Sequence, residues 1–263
     1  MKKQLTIIFV LILSYHVTLV GAQPTLDSLP YKTNIFIQIG TSVNYLKDKS
    51  FSPLTYRSGG LVLKTGFVQS INRYKLCFNL AFVSGNFKNK KVTSFTTPFI
   101  DGNVELACLK EIEKIEGKSF KKFVGLQYNT LIHFMQWGDM DSWGYLMYHG
   151  LSAKYMGTWH INGSKHIQIG VALPLVGILV RPPYNGYDYF IEQHQDNFIR
   201  LAFRGKLTTW NHYQGVNCRV SYISQMTGRL HFMLAYDLSY QGTDVPQKFR
   251  YVQNQFTLGF NRI

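Results

Sequence analysis

The sequence predicts an all-β protein: an antiparallel up-and-down barrel crossing a membrane with about 12 strands, or 10 as the alternative count. Three observations lead there. Apolar and polar residues alternate with period two from about residue 33 to the C-terminus, with almost no helical period. Charged residues make up 16% and aromatics 15% of the chain, whereas an ordinary soluble domain carries about 25% charge. Short turns and longer polar connections also succeed each other along the chain, as they do when strands run between two unlike rims.

Residues 1–22 read as a signal peptide that is cleaved on export. Lys2 and Lys3 form its basic start, Leu5 to Leu13 its apolar centre, and Val20-Gly21-Ala22 a cleavage site before Gln23. The apolar run is interrupted by Ser14, Tyr15 and His16, which argues against an anchor helix, and no cysteine follows the site to carry a lipid. Residues 23–263 then form one barrel domain. Beyond Ala22 no run approaches the roughly 18 apolar residues of a spanning helix; the longest, Leu173 to Val180, contains Pro174 and Gly177. A membrane-crossing chain of this kind needs a closed sheet, because hydrocarbon supplies no partner for a free backbone group.

The clearest strand is Phe123 to Met135. Val124, Leu126, Tyr128, Ile132 and Phe134 share one face, and Gly125, Gln127, Asn129 and His133 the other. From His166, the residues Ile167, Ile169, Val171 and Leu173 oppose His166, Gln168, Gly170 and Ala172. From Leu230, the residues Phe232, Leu234, Tyr236 and Leu238 oppose His231, Met233, Ala235 and Asp237. Short turns are expected at Asn72-Arg73, at Asn162 to Ser164 and at Thr227 to Arg229. A three-residue loop at Asn162 to Ser164 would set Ile161 against Lys165 and His160 against His166. Longer connections cover Lys47–Tyr56, Lys88–Thr93, Gly138–Gly144, Arg181–Gly186 and Gln241–Lys248. Glu111 to Lys118 reads as a strand end, a turn or a short helix. A count that includes Phe198–Leu207 and a weak strand at Tyr187–Gln193 gives twelve, with the short turns and both termini on one rim.

The last segment, Tyr251 to Ile263, alternates through Phe256, Leu258 and Phe260. It resembles the closing strand of outer-membrane β-barrels, whose terminal aromatic is read by the barrel assembly machinery. It departs from that pattern in ending on Ile263. The Val-Gly-Ala-Gln cleavage context and the Gly-Phe-Asn-Arg-Ile ending resemble small barrels of the Bacteroidota. The resemblance implies a Gram-negative outer membrane, with its lipid and lipopolysaccharide as surroundings, and names no activity.

The formal charge is +14, two of it from Lys2 and Lys3. The basic residues are scattered and no nucleic-acid motif appears, so nucleic acid is not an expected partner. Lipopolysaccharide phosphates or a small anionic solute fit better. Arg200, Arg204 and Lys206, with Arg219 on the following strand, are candidates for a basic lumen favouring anions, with charged structural filling, completed by Asp237, as the competing reading. Gln127, Asn129, His133, His160, His166, His231 and Asp237 are expected as polar lumen residues. Facing His160 and His166 could hold a metal or respond to pH, but with no Cys or carboxylate placed beside them a polar lining is the better reading. No metal or other cofactor is expected. Arg181, Pro182, Pro183 and Tyr184 form a stiff, aromatic loop that could fold inward as a plug, reach out to a ligand, or serve as a plain turn. Trp137, Trp143 and Trp159 suit interfacial girdles. Cys77, Cys108 and Cys218 read as unpaired filler.

The function expected from these residues is a non-enzymatic outer-membrane barrel, either a narrow pore or a structural or binding component. The alternative is a membrane-embedded lipid hydrolase of the phospholipase or lipid A deacylase type. Those families place a Ser two residues after a His, a spacing that none of the eight histidines shows, and no Gly-x-Ser-x-Gly elbow is present. A third reading is a soluble periplasmic ligand-binding barrel, apolar inside and polar outside.

Overall fold

A computed structural model describes residues 31–89, 96–113, 120–137, 142–162, 164–181 and 205–262. Eleven strands succeed one another: β1 (Tyr31–Asp48), β2 (Thr55–Ile71), β3 (Tyr74–Lys88), β4 (Thr97–Glu113), β5 (Phe120–Trp137), β6 (Ser142–Asn162), β7 (Lys165–Val180), β8 (Lys206–Thr209), β9 (Tyr213–Thr227), β10 (Leu230–Thr243) and β11 (Phe249–Arg262). Each pairs with its neighbours, β1 joins β11, and β6–β7 pairing closes the sheet on itself. The ring has ten strands. The eleventh, β8, lies outside that ring, pairing with β7 only over Val176–Leu179.

The ring is therefore the ten-strand alternative, and the count of 12 is corrected. Direct pairing of β7 with β9, from Lys165↔Ser224 to Ala172↔Asn217, leaves no room between them for another full strand. Tyr187–Gln193 lies outside the described residues, as do residues 198–204 of the expected strand Phe198–Leu207; residues 206–207 begin β8. Above Ala172, β7 reaches Pro174, which lacks an N–H to donate, and there β9 leaves it and β8 takes over.

Local chemistry explains the tight rim. Asn72 takes a left-handed φ of 53° in the two-residue turn between β2 and β3, and Gly228 a φ of 48° between β9 and β10, as twist-matched hairpin turns require. At β6–β7, Asn162 Oδ1 accepts from Ser164 N at 3.2 Å and from Ser164 Oγ at 3.1 Å. Here the expected three-residue loop is corrected. Asn162 pairs with Lys165 and the irregularity falls at Ile161, while His160 still faces His166.

Alternation sorts the side chains by face. Ile37, Leu61, Leu126, Trp159, Leu234, Phe256, Leu258 and Phe260 are all exposed on the outside. Gln38, Asn44, Lys64, Gln127, Asn129 and Thr257 are buried inside. This is the opposite polarity to a soluble ligand-binding barrel, and it corrects that reading. Strands of 14 to 21 residues form the ring, longer than the roughly 9 to 11 that a tilted strand needs to cross hydrocarbon.

The β1–β11 seam depends on two inward glycines. A Cβ on Gly40 would lie 1.9 Å from the Phe256 carbonyl oxygen, and one on Gly259 2.0 Å from that of Ile37. Gly40→Val or Gly259→Val should each lower stability by about 1–3 kcal/mol. Urea unfolding of detergent-folded protein reads this directly; an unchanged midpoint in both variants would contradict the tight seam.

Candidate functional site

Inside the ring, the inward residues divide into two zones. Towards the long-loop rim the bulky ones are mostly aromatic or aliphatic, with Asn44, Asp48, Ser58, Gln241 and Thr243 buried among them. Leu46, Phe87, Phe99, Met135, Leu146, Tyr148, Tyr213, Phe249 and Tyr251 belong to one buried cluster. Tyr148 and Tyr213 stack with ring centroids 4.1 Å apart at 13°, and Phe87 packs on Phe99 at 4.5 Å. Burying each such ring contributes roughly 1.5–3 kcal/mol, with a further ~0.5–1.5 kcal/mol per ring pair. Among the described residues this cluster fills the barrel at that end as a plug.

A polar network braces the plug from below. Asp101 accepts from Tyr251 Oη at 2.5 Å and from Gln253 Nε2 at 2.8 Å, and its other oxygen meets His133 Nδ1. Gln253 Nε2 also lies 2.9 Å from Tyr251 Oη. His133 stacks on Tyr251 with centroids 4.7 Å apart. Three groups thus converge on one buried carboxylate, the arrangement that makes a buried charge tolerable.

From above, Arg181 crosses the long-loop rim from the end of β7. Its guanidinium meets Asp48 and donates to Ser50 Oγ at 3.1 Å, in the connection after β1. It also donates to the Gln247 and Val245 carbonyls before β11, and lies 5.2 Å from the Phe249 ring centroid. Burial pulls the Arg181 pKa down while Asp48 opposes that. Of the expected loop Arg181, Pro182, Pro183 and Tyr184, Arg181 turns inward over the mouth, and the other three lie outside the described residues.

Below the plug is a cavity of about 430 Å³, running towards the short-turn rim and lined by side chains from all ten ring strands. Its charges are mostly paired. Lys64 Nζ meets Asp237 at 2.7 Å, Arg219 lies 3.8 Å from Asp237 and donates to Gln38 Oε1 at 2.7 Å, and Lys154 stands 3.8 Å from Glu105.

The sequence-derived candidates fall as follows. Gln127, Asn129, His133, His160, His166, His231 and Asp237 all sit on inward phase. Arg219 is inward and shares Asp237 with Lys64, Lys206 is exposed at the long-loop rim, and Arg200 and Arg204 lie outside the described residues. His160 and His166 face each other at 5.5 Å between centroids, and among the described residues no third ligand makes a metal group there. His149 meets Thr130 Oγ1 at 3.3 Å and His133 meets Asp101, so neither contact is a Ser–His pair. Phe256, Leu258 and Phe260 lie on the outer face. Cys77, Cys108 and Cys218 are free.

No family model matches the chain, and no curated protein matches it. Among solved structures it is similar to the outer membrane protease OmpT from Escherichia coli, at 7% identity and a TM-score of 0.49 over 90% of this chain and 99% of that one. Neisserial surface protein A gives 10% identity and a TM-score of 0.35 over 87% and 96%. An outer membrane channel from Pseudomonas putida F1 gives 10% and 0.39 over 92% and 99%. The barrel fold rests on this chain's own strand pairing.

The Lys64–Asp237 pair gives a test of the lumen. Asp237→Asn strands a lysine that is 3% exposed and should cost about 3–5 kcal/mol, while Lys64→Met with Asp237→Asn should recover much of it. Unfolding midpoints of the three proteins check this; equal loss in single and double variants would refute it.

Proposed function

We propose that the chain is an integral outer-membrane β-barrel without enzymatic activity, acting as a binding or structural component rather than an open pore. The observation that carries this reading is the apolar plug between the long-loop rim and the polar cavity. An aqueous path needs a continuous polar lining, and here the path ends on Tyr148 and Tyr213, which line the top of the cavity. Solutes therefore enter and leave from the short-turn side, which is the periplasmic side in a barrel with this loop asymmetry.

The outer face supports the membrane assignment. Exposed Ile, Leu and Phe side chains alternate with buried polar ones on the same strands, the pattern that a lipid-facing wall requires. Trp159 stands exposed on the outer face near the short-turn rim, where an aromatic girdle would lie.

Fractionation of the native host should find the protein in the outer membrane, and unboiled protein should migrate faster than boiled protein on detergent gels. In planar bilayers the wild type should show no steady open level, and Tyr148→Ala with Tyr213→Ala should open one. A large, steady wild-type conductance would overturn the plugged-barrel reading.

A further inference from the structure

Resting on a cavity that opens at the short-turn rim, we propose that its mouth binds a small oxyanion, a phosphate or carboxylate group, between Lys75 and Lys121. The deeper cations Lys64, Arg219 and Lys154 already have Asp237 and Glu105 as ion-pair partners. At the mouth, among the described residues, neither Lys75 nor Lys121 makes an ion pair. The Lys75 ammonium instead lies 4.0 Å above the Phe123 ring.

These cations lie on one arc of the wall. Lys75 on β3, Lys121 on β5, His160 on β6 and His166 on β7 line the same cavity, and Lys75 acts electrostatically on both imidazoles. Glu111 on β4 is the carboxylate of that arc and lines the mouth, but it stands beyond ion-pair distance of Lys75. A half-buried ammonium with only an aromatic face beside it has lost part of its hydration. An oxyanion restores charge-assisted hydrogen bonds there, and the two imidazoles offer ring N–H donors on the same side.

The occupant is small, because the whole cavity holds about 430 Å³. Phe123 is buried beside Met156 and Leu109, so the wall next to the cations is apolar. The two ammonium groups select a small phosphate or carboxylate. Such a group comes either from a free solute or from a lipid headgroup in the adjoining leaflet.

Phenyl phosphate titrated calorimetrically into the full chain, folded in zwitterionic detergent, tests the site. Lys75→Gln or Lys121→Gln should weaken binding roughly tenfold, Glu111→Gln should strengthen it, and Lys165→Gln, on the outward phase of the same rim, should leave it unchanged. Absence of binding, or equal loss with Lys165→Gln, overturns the proposal. Faster migration before boiling shows that each variant is folded, so failure of the anion site is told apart from failure of the barrel reading. Displacement of phenyl phosphate by a short-chain phosphatidylglycerol but not by glycerol 3-phosphate identifies a lipid headgroup as the occupant; displacement by both identifies a free solute, and both outcomes support the oxyanion site.

Discussion

Closure of the backbone ladder is the constraint from which the rest of the structure follows. Each strand of an open sheet presents unpaired N–H and C=O groups at its edge, and a ring removes both edges at once. Here closure is completed where β1 meets β11 in continuous register from Ile35↔Arg262 to Asp48↔Phe249, and where β6 meets β7. Once the ring is closed, the pleat leaves each residue only two destinations. A one-residue slip would send Gln38, Lys64 and Gln127 outward and Ile37, Leu63 and Leu126 inward.

That constraint makes the lumen a place where polar groups find one another across the barrel as well as along a strand. The pairs Lys64–Asp237 and Arg219–Gln38 span residues separated by 173 and 181 positions in the chain. Asp101, on β4, similarly gathers Tyr251 and Gln253 from β11. Such contacts exist only when the ring has the right strand number and stagger, so they select this closure over others as well as satisfying buried charge. The apolar plug does the same work at the long-loop end through ring packing, and Arg181 ties its upper surface to two connections at once.

Much of this was legible in the chain because alternation reports directly which way a side chain points. Val124 to Met135 and His166 to Leu173 were assigned to the correct faces from period two alone, and Asn72 marked its turn because few other residues accept a left-handed φ. What alternation does not report is which strand lies beside which. Phe198–Leu207 alternates well, yet β7 already has β9 as its partner along Lys165–Ala172, so alternation alone gives a count of twelve where the ring holds ten. The same assumption places Arg200, Arg204 and Lys206 in the lumen, whereas Lys206 is exposed. The plug was missed for a related reason: it is assembled from single inward residues on many strands. Its sequence trace is local loss of alternation near the long-loop ends, as in Leu146-Met147-Tyr148 and Ile178-Leu179-Val180, where both faces are apolar.

The two zones of the lumen also assign different tasks to the same kind of residue. A lysine deep in the cavity, such as Lys64, is fixed by a carboxylate and contributes to the wall. A lysine at the mouth, such as Lys75, rests on an aromatic face and keeps its hydrogen-bonding capacity unspent. Because every inward position is a potential strut, a basic composition alone says nothing about binding in a barrel. What separates scaffold from site is whether the counter-charge is already supplied by the protein. Here carboxylates pair with Lys64, Arg219 and Lys154 in the middle of the cavity, whereas among the described residues Lys75 and Lys121 form no ion pair where the cavity opens.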